Sequence, residues 1–406
     1  MPDADLTPRA SSVVCTHCGC ACDDLGATVA DGGIAVIDNA CSLSRPLLLG
    51  KRDTAGPAAW IDGRAAELDA ALDAAAGILS ASRRPLIFGA VACTTEAQSA
   101  AVRLARDLCG VFDSPALPHE PLFPGIGSVT CSLGEAKNRA EVIVVWNCDP
   151  EATHPRLLSR YLVDPPGRWR PRGRADRRLI VVGRDDVGRA LAADEFVPLT
   201  SAEPFAELWR LRERARSGER DPLLDRLRAA KFSVLVFDPS AGARAIEAAH
   251  ALAADLQSST RCYVLVLRGP GNPLGVVRAV TWLTGRCGPV SFRADGSADS
   301  GGAFCATGLL ARQEVDAVLQ LGGDLGNRQI PQIDLSPQAG ETGRTASIAI
   351  RTSEFPIAQS GTVFRLDGVA LPIRPVIPSS APSEFAVLEE LRVRLRTPPR
   401  RAVSGR

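Results

Sequence analysis

The 406-residue chain has little lysine, little methionine and no surplus charge of one sign. Three residues are Lys and one is Met, 5% are aromatic, and 47 Lys and Arg balance 46 Asp and Glu to a net charge of +1. A balanced charge supplies no long-range attraction for nucleic acid or for an anionic membrane surface, so neither is expected as a partner.

Long apolar runs are also missing. No stretch of 18 apolar residues is present, which argues against a membrane-spanning helix. The first ten residues are acidic, contain proline and lack the basic and apolar segments of a signal peptide. We therefore expect a cytoplasmic protein, in which clustered cysteines are better interpreted as metal ligands than as disulfides.

Short apolar runs alternate with helical stretches from residue 84 onward. The predicted strands are Pro85–Ala90, Val142–Asn147, Leu179–Gly183, Ser233–Asp238, Cys262–Gly269, Ala317–Gly322 and Ser347–Thr352. The predicted helices are Thr94–Cys109, Pro204–Ser217, Ala241–Leu256 and Asn272–Thr284. This alternation predicts an α/β fold with doubly wound, mostly parallel sheets, together with a small N-terminal cysteine-rich metal-binding subdomain.

Composition divides the chain into four segments. A Cys-rich, iron–sulfur-type subdomain is predicted at 1–60, α/β domains at 61–200 and 201–382, and an amphipathic helix with a basic tail at 383–406. Two stretches, Asp164–Gly173 and Arg293–Gly302, are predicted as loops. The first is either a solvated loop or a surface that faces a partner, because Trp169 stands there among several Arg residues.

The strongest chemical signal is the series Cys15, Cys18, Cys22 and Cys41, which has Cys-x2-Cys-x3-Cys spacing and a distant fourth cysteine. Four thiolates suit a [4Fe–4S] cluster or a structural zinc, and the spacing favours the cluster. Thiols without metal are the remaining alternative. Cys20 can replace Cys22 as the third ligand, so the residues alone leave that position open.

The remaining chain offers weaker signals. Five scattered cysteines in apolar contexts are predicted as core residues: Cys93, Cys109, Cys262, Cys287 and Cys305. A lone histidine in an Ala-rich helix, His250, is predicted to be structural, whereas His119 and His154 stand near prolines in loop sequence and can line a pocket. The best candidate for a cofactor-binding edge is Gly134–Arg139, which leads into a buried strand, together with Trp146–Pro150 at the carboxyl end of that strand.

The chain resembles the B subunit of formylmethanofuran dehydrogenase, a family within the molybdopterin oxidoreductase superfamily. The resemblance rests on five segments: Val13–Asp24 (VVCTHCGCACDD), Asn39–Cys41 (NAC), Ser82–Gly89 (SRRPLIFG), Ser132–Arg160 (SLGEAKNRAEVIVVWNCDPEATHPRLLSR) and Gly173–Val182 (GRADRRLIVV). It implies that Cys15, Cys18, Cys22 and Cys41 are cluster ligands, in place of the alternative with Cys20. In the family this cluster relays electrons to a tungsten or molybdenum bis-pterin.

The metal-binding stretch departs from the family pattern. Where the family has a Cys or selenocysteine ligand before His, this chain has Pro118 before His119, and Glu120 replaces a Gly. Proline has no side-chain donor, so reduction of carbon dioxide at the metal cannot run in the usual way. Two pterin-contact stretches, Gly183–Gly188 and Arg351–Gly361, are altered as well.

These departures resemble the B subunit of the bacterial formyltransferase/hydrolase complex, which works in tetrahydromethanopterin- and methanofuran-linked oxidation of formaldehyde to formate. The resemblance implies a structural, redox-inactive chain without catalytic residues, partnered by amidohydrolase-type A, C and formyltransferase D subunits, and without tungsto- or molybdopterin. The alternatives are an active, pterin-binding B subunit of formylmethanofuran dehydrogenase and, from another class, a zinc-stabilised interaction module.

Overall fold

The structure is a computed structural model that describes residues 10–53, 56–117, 127–199, 203–323, 325–326, 329–340 and 346–396. The strands are β1 (Ala10–Val13), β2 (Leu25–Ala30), β3 (Gly33–Asp38), β4 (Ala59–Ile61), β5 (Arg64–Ala66), β6 (Pro85–Gly89), β7 (Val111–Asp113), β8 (Val142–Trp146), β9 (Arg178–Val182), β10 (Glu195–Val197), β11 (Phe232–Phe237), β12 (Arg261–Val266), β13 (Val290–Phe292), β14 (Ala298–Ser300), β15 (Ala317–Leu321), β16 (Gln332–Ser336), β17 (Ile348–Arg351), β18 (Gly361–Phe364) and β19 (Ala370–Ile373). The helices are α1 (Arg45–Leu48), α2 (Leu68–Ala81), α3 (Thr95–Asp107), α4 (Leu133–Arg139), α5 (Pro150–Thr153), α6 (Asp185–Ala190), α7 (Pro204–Ser217), α8 (Pro222–Ala229), α9 (Ala243–Leu256), α10 (Pro273–Thr284), α11 (Ala306–Ala311) and α12 (Glu384–Arg396).

Five parallel strands form one sheet in the order β10-β9-β8-β11-β12. Every residue of β8 and β11 is buried, as their continuous apolar sequences predict. The chain winds outward from β8 through β9 and β10, then crosses to β11 and β12 on the other side. Such a reversal of strand order leaves a crevice at the carboxyl ends of the strands, where doubly wound sheets bind ligands.

A larger sheet has nine strands in the order β14-β13-β7-β6-β15-β16-β17-β4-β5. Its five central strands are parallel, and an antiparallel hairpin closes each edge. The chain leaves this sheet after β7 and returns at β13. Strands from both predicted α/β segments, 61–200 and 201–382, therefore contribute to both large sheets.

Helices cover these sheets because each helix has one apolar face. Helices α7, α8 and α9 pack on one face of the five-stranded sheet, and α2, α3, α10 and α12 pack on one face of the nine-stranded sheet. The opposite face of the five-stranded sheet packs against the N-terminal meander β1-β2-β3. The α/β class with mostly parallel sheets is confirmed. Among the described residues, no helix has the length and apolarity needed to cross a membrane.

Two sequence predictions are wrong. The stretch Arg293–Gly302, predicted as a flexible loop, contains β14, which pairs with β13 across a turn closed by the hydrogen bond from the Arg293 N–H to the Ser297 carbonyl at 2.9 Å. The edge strand is short and polar, so its sequence carries no strand signal.

Cys109, predicted in the core, is exposed because it has a φ of +51° in the turn after α3. Cys287 and Cys305 are half-buried.

Candidate functional site

The four predicted ligand cysteines line one recess in the N-terminal subdomain. Cys15, Cys18, Cys22 and Cys41 share this recess, which is small and partly open to solvent. The first three lie in the connection between β1 and β2, and Cys41 follows β3, so the antiparallel meander brings the two cysteine segments together. The structure therefore gathers the whole predicted set, and its role as a ligand set remains a prediction.

Backbone contacts hold the cysteine loop against the body of the protein. The Cys15 N–H donates to the Cys22 carbonyl at 2.8 Å and closes the loop on itself. The Gly19 N–H donates to the Arg268 carbonyl at 2.9 Å, and a Cβ on Gly19 would stand 2.6 Å from that oxygen. Glycine is therefore required at this position, because any side chain would push the loop away from the irregular segment that follows β12.

Cys20 lies outside the recess. It is fully buried, and a hydrogen bond between its thiol and that of Cys18 lowers the pKa of Cys18 and raises the pKa of Cys20. Cys22 lines the recess in its place. The geometry thus favours Cys22 over Cys20 as the third donor, in agreement with the resemblance.

Two arginines that sequence reasoning did not single out flank the recess. Arg156 donates to both carboxylate oxygens of Asp24 at 2.7 and 2.6 Å, and Arg160 pairs with Asp23 at 2.8 Å and with Asp24 at 3.0 Å. Arg160 lies in a π-helical turn, Leu158–Leu162. The sequence signal for these arginines is the acidic pair Asp23 and Asp24, directly after Cys22. Two adjacent carboxylates need cations from elsewhere in the chain.

Burial and the two arginines have opposite effects on the pKa of a recess thiol. Burial raises the pKa of Cys15 to about 12. Burial also raises the pKa of Cys22, while the positive charges of Arg156 and Arg160 oppose that shift. Burial thus disfavours the thiolate forms of Cys15 and Cys22, whereas an anionic metal–thiolate group would gain the attraction of both guanidinium groups.

A second cavity lies beside the recess, at the carboxyl ends of the strands. It encloses about 1130 Å³ of space that is partly open, and His17 and Cys18 line it as well as the recess. The wall is mostly apolar and rich in proline, and its apolar members are Val91, Pro115, Ala116, Pro239, Leu267, Gly269, Pro270 and Pro273. Its charged members among the described residues are Arg268 and Asp238. We call it the sheet-edge cavity.

The predicted pocket residues are distributed unevenly around this cavity. His154 lines it, with Nε2 2.9 Å from the Arg268 carbonyl and Nδ1 3.0 Å from the Thr153 hydroxyl, and burial lowers its pKa. The predicted edge Trp146–Pro150 does not line it: Trp146 is buried in the sheet, and the Asp149 carboxylate accepts from N–H groups of α5. His250 is structural, since its Nδ1 accepts from the Val129 N–H at 3.1 Å.

Three residues of the altered metal-binding stretch, Pro118, His119 and Glu120, lie outside the described residues. The altered stretch Gly183–Gly188 follows β9 and forms surface ion pairs within α6 and its N-cap, away from the lining of the sheet-edge cavity. In the stretch Arg351–Gly361, Arg351 donates to the Gly56 carbonyl at 2.8 Å and Gln359 bonds to the buried Glu384 at 2.7 Å. The Arg351 and Gln359 side chains are therefore used for contacts within the chain.

The recess does not have the form of a site for one ion. In the described part of the chain, no three His, Cys, Asp or Glu side chains are placed to hold a single metal ion.

Comparison with known proteins finds relatives along most of the chain. It is 29% identical to the B subunit of the tungsten-containing formylmethanofuran dehydrogenase 2 of Methanocaldococcus jannaschii, over 90% of this chain and 93% of that one. It is 31% identical to the B subunit of the formyltransferase/hydrolase complex Fhc of Methylorubrum extorquens, over 65% of this chain and 74% of that one. No family model matches the chain.

A solved structure shares the fold. The X-ray structure of the formyltransferase/hydrolase complex FhcABCD from Methylorubrum extorquens, in complex with methylofuran, contains a chain that superposes with a TM-score of 0.69 at 27% identity. The match covers 83% of this chain and 98% of that one.

Proposed function

Because the chain belongs to the family of B subunits found in formylmethanofuran dehydrogenase and in the formyltransferase/hydrolase complex, we propose that it is a structural, redox-inactive B subunit of a formyltransferase/hydrolase complex. The complex would transfer a formyl group to a methanofuran-type carrier and hydrolyse it to formate, a redox-neutral step of one-carbon oxidation, with the transferase and hydrolase chemistry in its other subunits. We place it in the cytoplasm, where clustered thiols stay reduced.

The observation that carries this proposal is the lining of the sheet-edge cavity. A pair of phosphate-bearing pterins brings several negative charges, and such ligands are held by Arg side chains and by rows of backbone N–H groups. The described lining offers Arg268 as its cation and adds the carboxylate of Asp238. These residues do not fit a bis-pterin cofactor, and Pro118 supplies no ligand for its metal.

The cysteine recess, in contrast, fits a [4Fe–4S] cluster. Cys15, Cys18, Cys22 and Cys41 would hold it, and the nearby Arg156 would offset its negative charge. When bound, such a cluster can carry an electron. In a redox-inactive subunit its contribution is to cross-link the two cysteine segments, which are separate in sequence.

The alternative is an active dehydrogenase subunit. It is favoured by one observation: His17 and Cys18 line both the recess and the sheet-edge cavity, so a cluster in the recess would lie directly beside the cavity where electrons would be used. A subunit of this kind needs tungsten or molybdenum in the cavity.

Elemental analysis of the anaerobically purified complex separates these functions. We expect about four Fe per copy of this chain, W and Mo far below one per copy, formyl transfer to the carrier, and no dye reduction with formate. Stoichiometric W or Mo together with formate-dependent dye reduction would establish the dehydrogenase instead. One Zn per copy without visible absorption would leave the structural role intact and replace the cluster.

A further inference from the structure

An exposed tryptophan with two stacked arginines stands on the surface near α4. Trp169 is 47% exposed, and the guanidinium carbons of Arg139 and Arg168 lie 4.1 and 5.1 Å from the centre of its ring. The shallow hollow beside them is also lined by Glu135, whose carboxylate caps α4 by accepting from the Ser132 N–H at 2.9 Å. We call Arg139, Arg168 and Trp169 the Trp169 patch.

The two arginines of the patch differ from their neighbours in sequence. Four of those neighbours are paired with a carboxylate: Arg170 with Glu141, Arg172 with Asp176 at 2.6 Å, Arg174 with Asp194 at 2.8 Å and Arg178 with Glu195 at 3.1 Å. A fifth neighbour, Arg177, donates to three backbone carbonyls inside the protein. Arg139 and Arg168 have no carboxylate within 4.0 Å in the described parts of the chain. The two positive charges on this indole ring therefore have no ion-pair partner among the described residues, and the Glu135 carboxylate in the same hollow is used to cap α4.

The patch is held in a fixed shape before any partner arrives. The Arg168 N–H donates to the Asn138 side-chain oxygen at 2.9 Å, and the Trp169 N–H donates to the Asn138 carbonyl at 3.2 Å. Gly167 touches α4 so closely that a Cβ there would stand 2.2 Å from the Lys137 carbonyl. A loop that is already ordered loses little conformational entropy when it binds.

We propose that the Trp169 patch is a docking surface for an acidic face of another subunit of the complex, an inference that rests on the proposed function. Trp and Arg are the side chains most enriched among residues that dominate binding energy. Guanidinium groups match carboxylates in shape and charge, and stacking on the indole leaves their N–H edges free to donate outward. Carboxylates of the partner would form the ion pairs with Arg139 and Arg168 that no described carboxylate of this chain forms.

Other occupants fit the patch less well. In a two-fold symmetric contact between copies of the chain, each patch would face itself and bring four guanidinium groups together. A nucleic-acid base would need an open ring face, and both stacked guanidinium groups compete for the faces of Trp169.

The test is assembly of the complete complex with altered versions of this chain, followed by native mass spectrometry and dissociation constants at two salt concentrations. We expect the double variant R139E/R168E to bind its partner subunits at least ~100-fold more weakly, and W169A roughly tenfold more weakly. The variant R139K/R168K keeps the charge, so it should lose only about threefold, and the wild-type affinity should fall as salt rises.

The chain offers matched controls for each variant. W209A removes another exposed tryptophan with a stacked arginine, but that arginine, Arg212, is neutralised by Asp255 at 2.9 Å. R244E/R374E makes the same change of net charge at two other exposed positions. Both controls should assemble with wild-type affinity.

The outcomes separate this inference from the proposed function. If the wild-type chain does not assemble with the other subunits, the proposed function fails. If it assembles and R139E/R168E assembles equally well, or no worse than R244E/R374E, the docking surface is refuted. Loss of self-association, or loss of binding to a single-stranded RNA, with subunit assembly unchanged would likewise overturn it.

Discussion

The cysteine recess and the sheet-edge cavity lie side by side and share His17 and Cys18, yet they differ in the groups that they offer to a cofactor. The recess has four thiols and two flanking arginines from short segments of chain. The cavity draws on many strand ends and presents a mostly apolar wall. Under the function we propose, a compact donor set stays intact while the neighbouring cavity no longer binds a large, multiply charged cofactor.

The largest effect expected from this comparison is loss of iron when one recess thiol is removed. Cys41 is half-buried, so Cys41→Ser disturbs packing little while it removes one of four thiolates. We expect iron per chain to fall at least ~tenfold, together with the visible absorption of the cluster. Elemental analysis and an absorption spectrum of the anaerobic complex measure both.

Cys109→Ser is the matched control, because Cys109 is exposed and lies outside the recess. It should keep its iron and its spectrum. Equal iron in the Cys41→Ser and Cys109→Ser proteins would break the assignment of the recess as the cluster site.

The next largest effect is a loss of the free energy of unfolding in acid, caused by His250. Burial, and then the charge of Arg268, lower the pKa of His250 from 6.5 to about 4. The unfolded chain therefore binds a proton between these pH values while the folded chain does not, so stability is lost as pH falls from 6.5 towards 4. The full loss is about 3 kcal/mol.

His250→Gln removes this titration while its side-chain oxygen can still accept from the Val129 N–H. Denaturant unfolding at pH 7.0, 6.0 and 5.0 should show the variant losing less stability than wild type on acidification. Parallel pH curves for the two proteins would contradict the buried, neutral imidazole.

A smaller effect is expected at the rim of the recess. Asp24→Asn removes the carboxylate that accepts from Arg156 and Arg160, and it should cost about 1 kcal/mol, because both partners are partly exposed to solvent. Iron should leave the variant faster in the presence of a chelator. Asp31→Asn, at an exposed turn of the same subdomain, should release iron at the wild-type rate.

Much of the fold was predictable because buried parallel strands carry continuous apolar runs. Each of the predicted runs overlaps an observed strand, and Pro204–Ser217 is a helix over those same residues. Strand β16 was missed, since Gln332, Asp334 and Ser336 alternate with its apolar residues although every residue is buried. Their polar atoms bond to neighbouring residues such as Gly326, which sequence alone does not show.

The recess was predictable for a similar reason, since the spacing of its cysteines is a local pattern. Arg156 lies more than a hundred residues beyond Asp24, so their contact depends on tertiary structure. The cavity edge was misjudged because Trp146 and Asp149 have the right types of side chain but are used for packing and for capping α5. Thr153 and His154, a few residues further on, face the cavity.

The smallest expected effect is the absence of any gain when the missing ligand is restored. Pro118→Cys returns a thiol to the metal-binding stretch, but the described lining of the cavity still presents one arginine, one carboxylate and a mostly apolar wall. Since a bis-pterin is held mainly by its phosphates and ring edges, we expect W and Mo to stay far below one per chain in the variant complex, with formyl transfer unchanged. If the variant takes up either metal and reduces the dye with formate, then Pro118 alone prevents metal binding. The sheet-edge cavity would in that case still be a cofactor site.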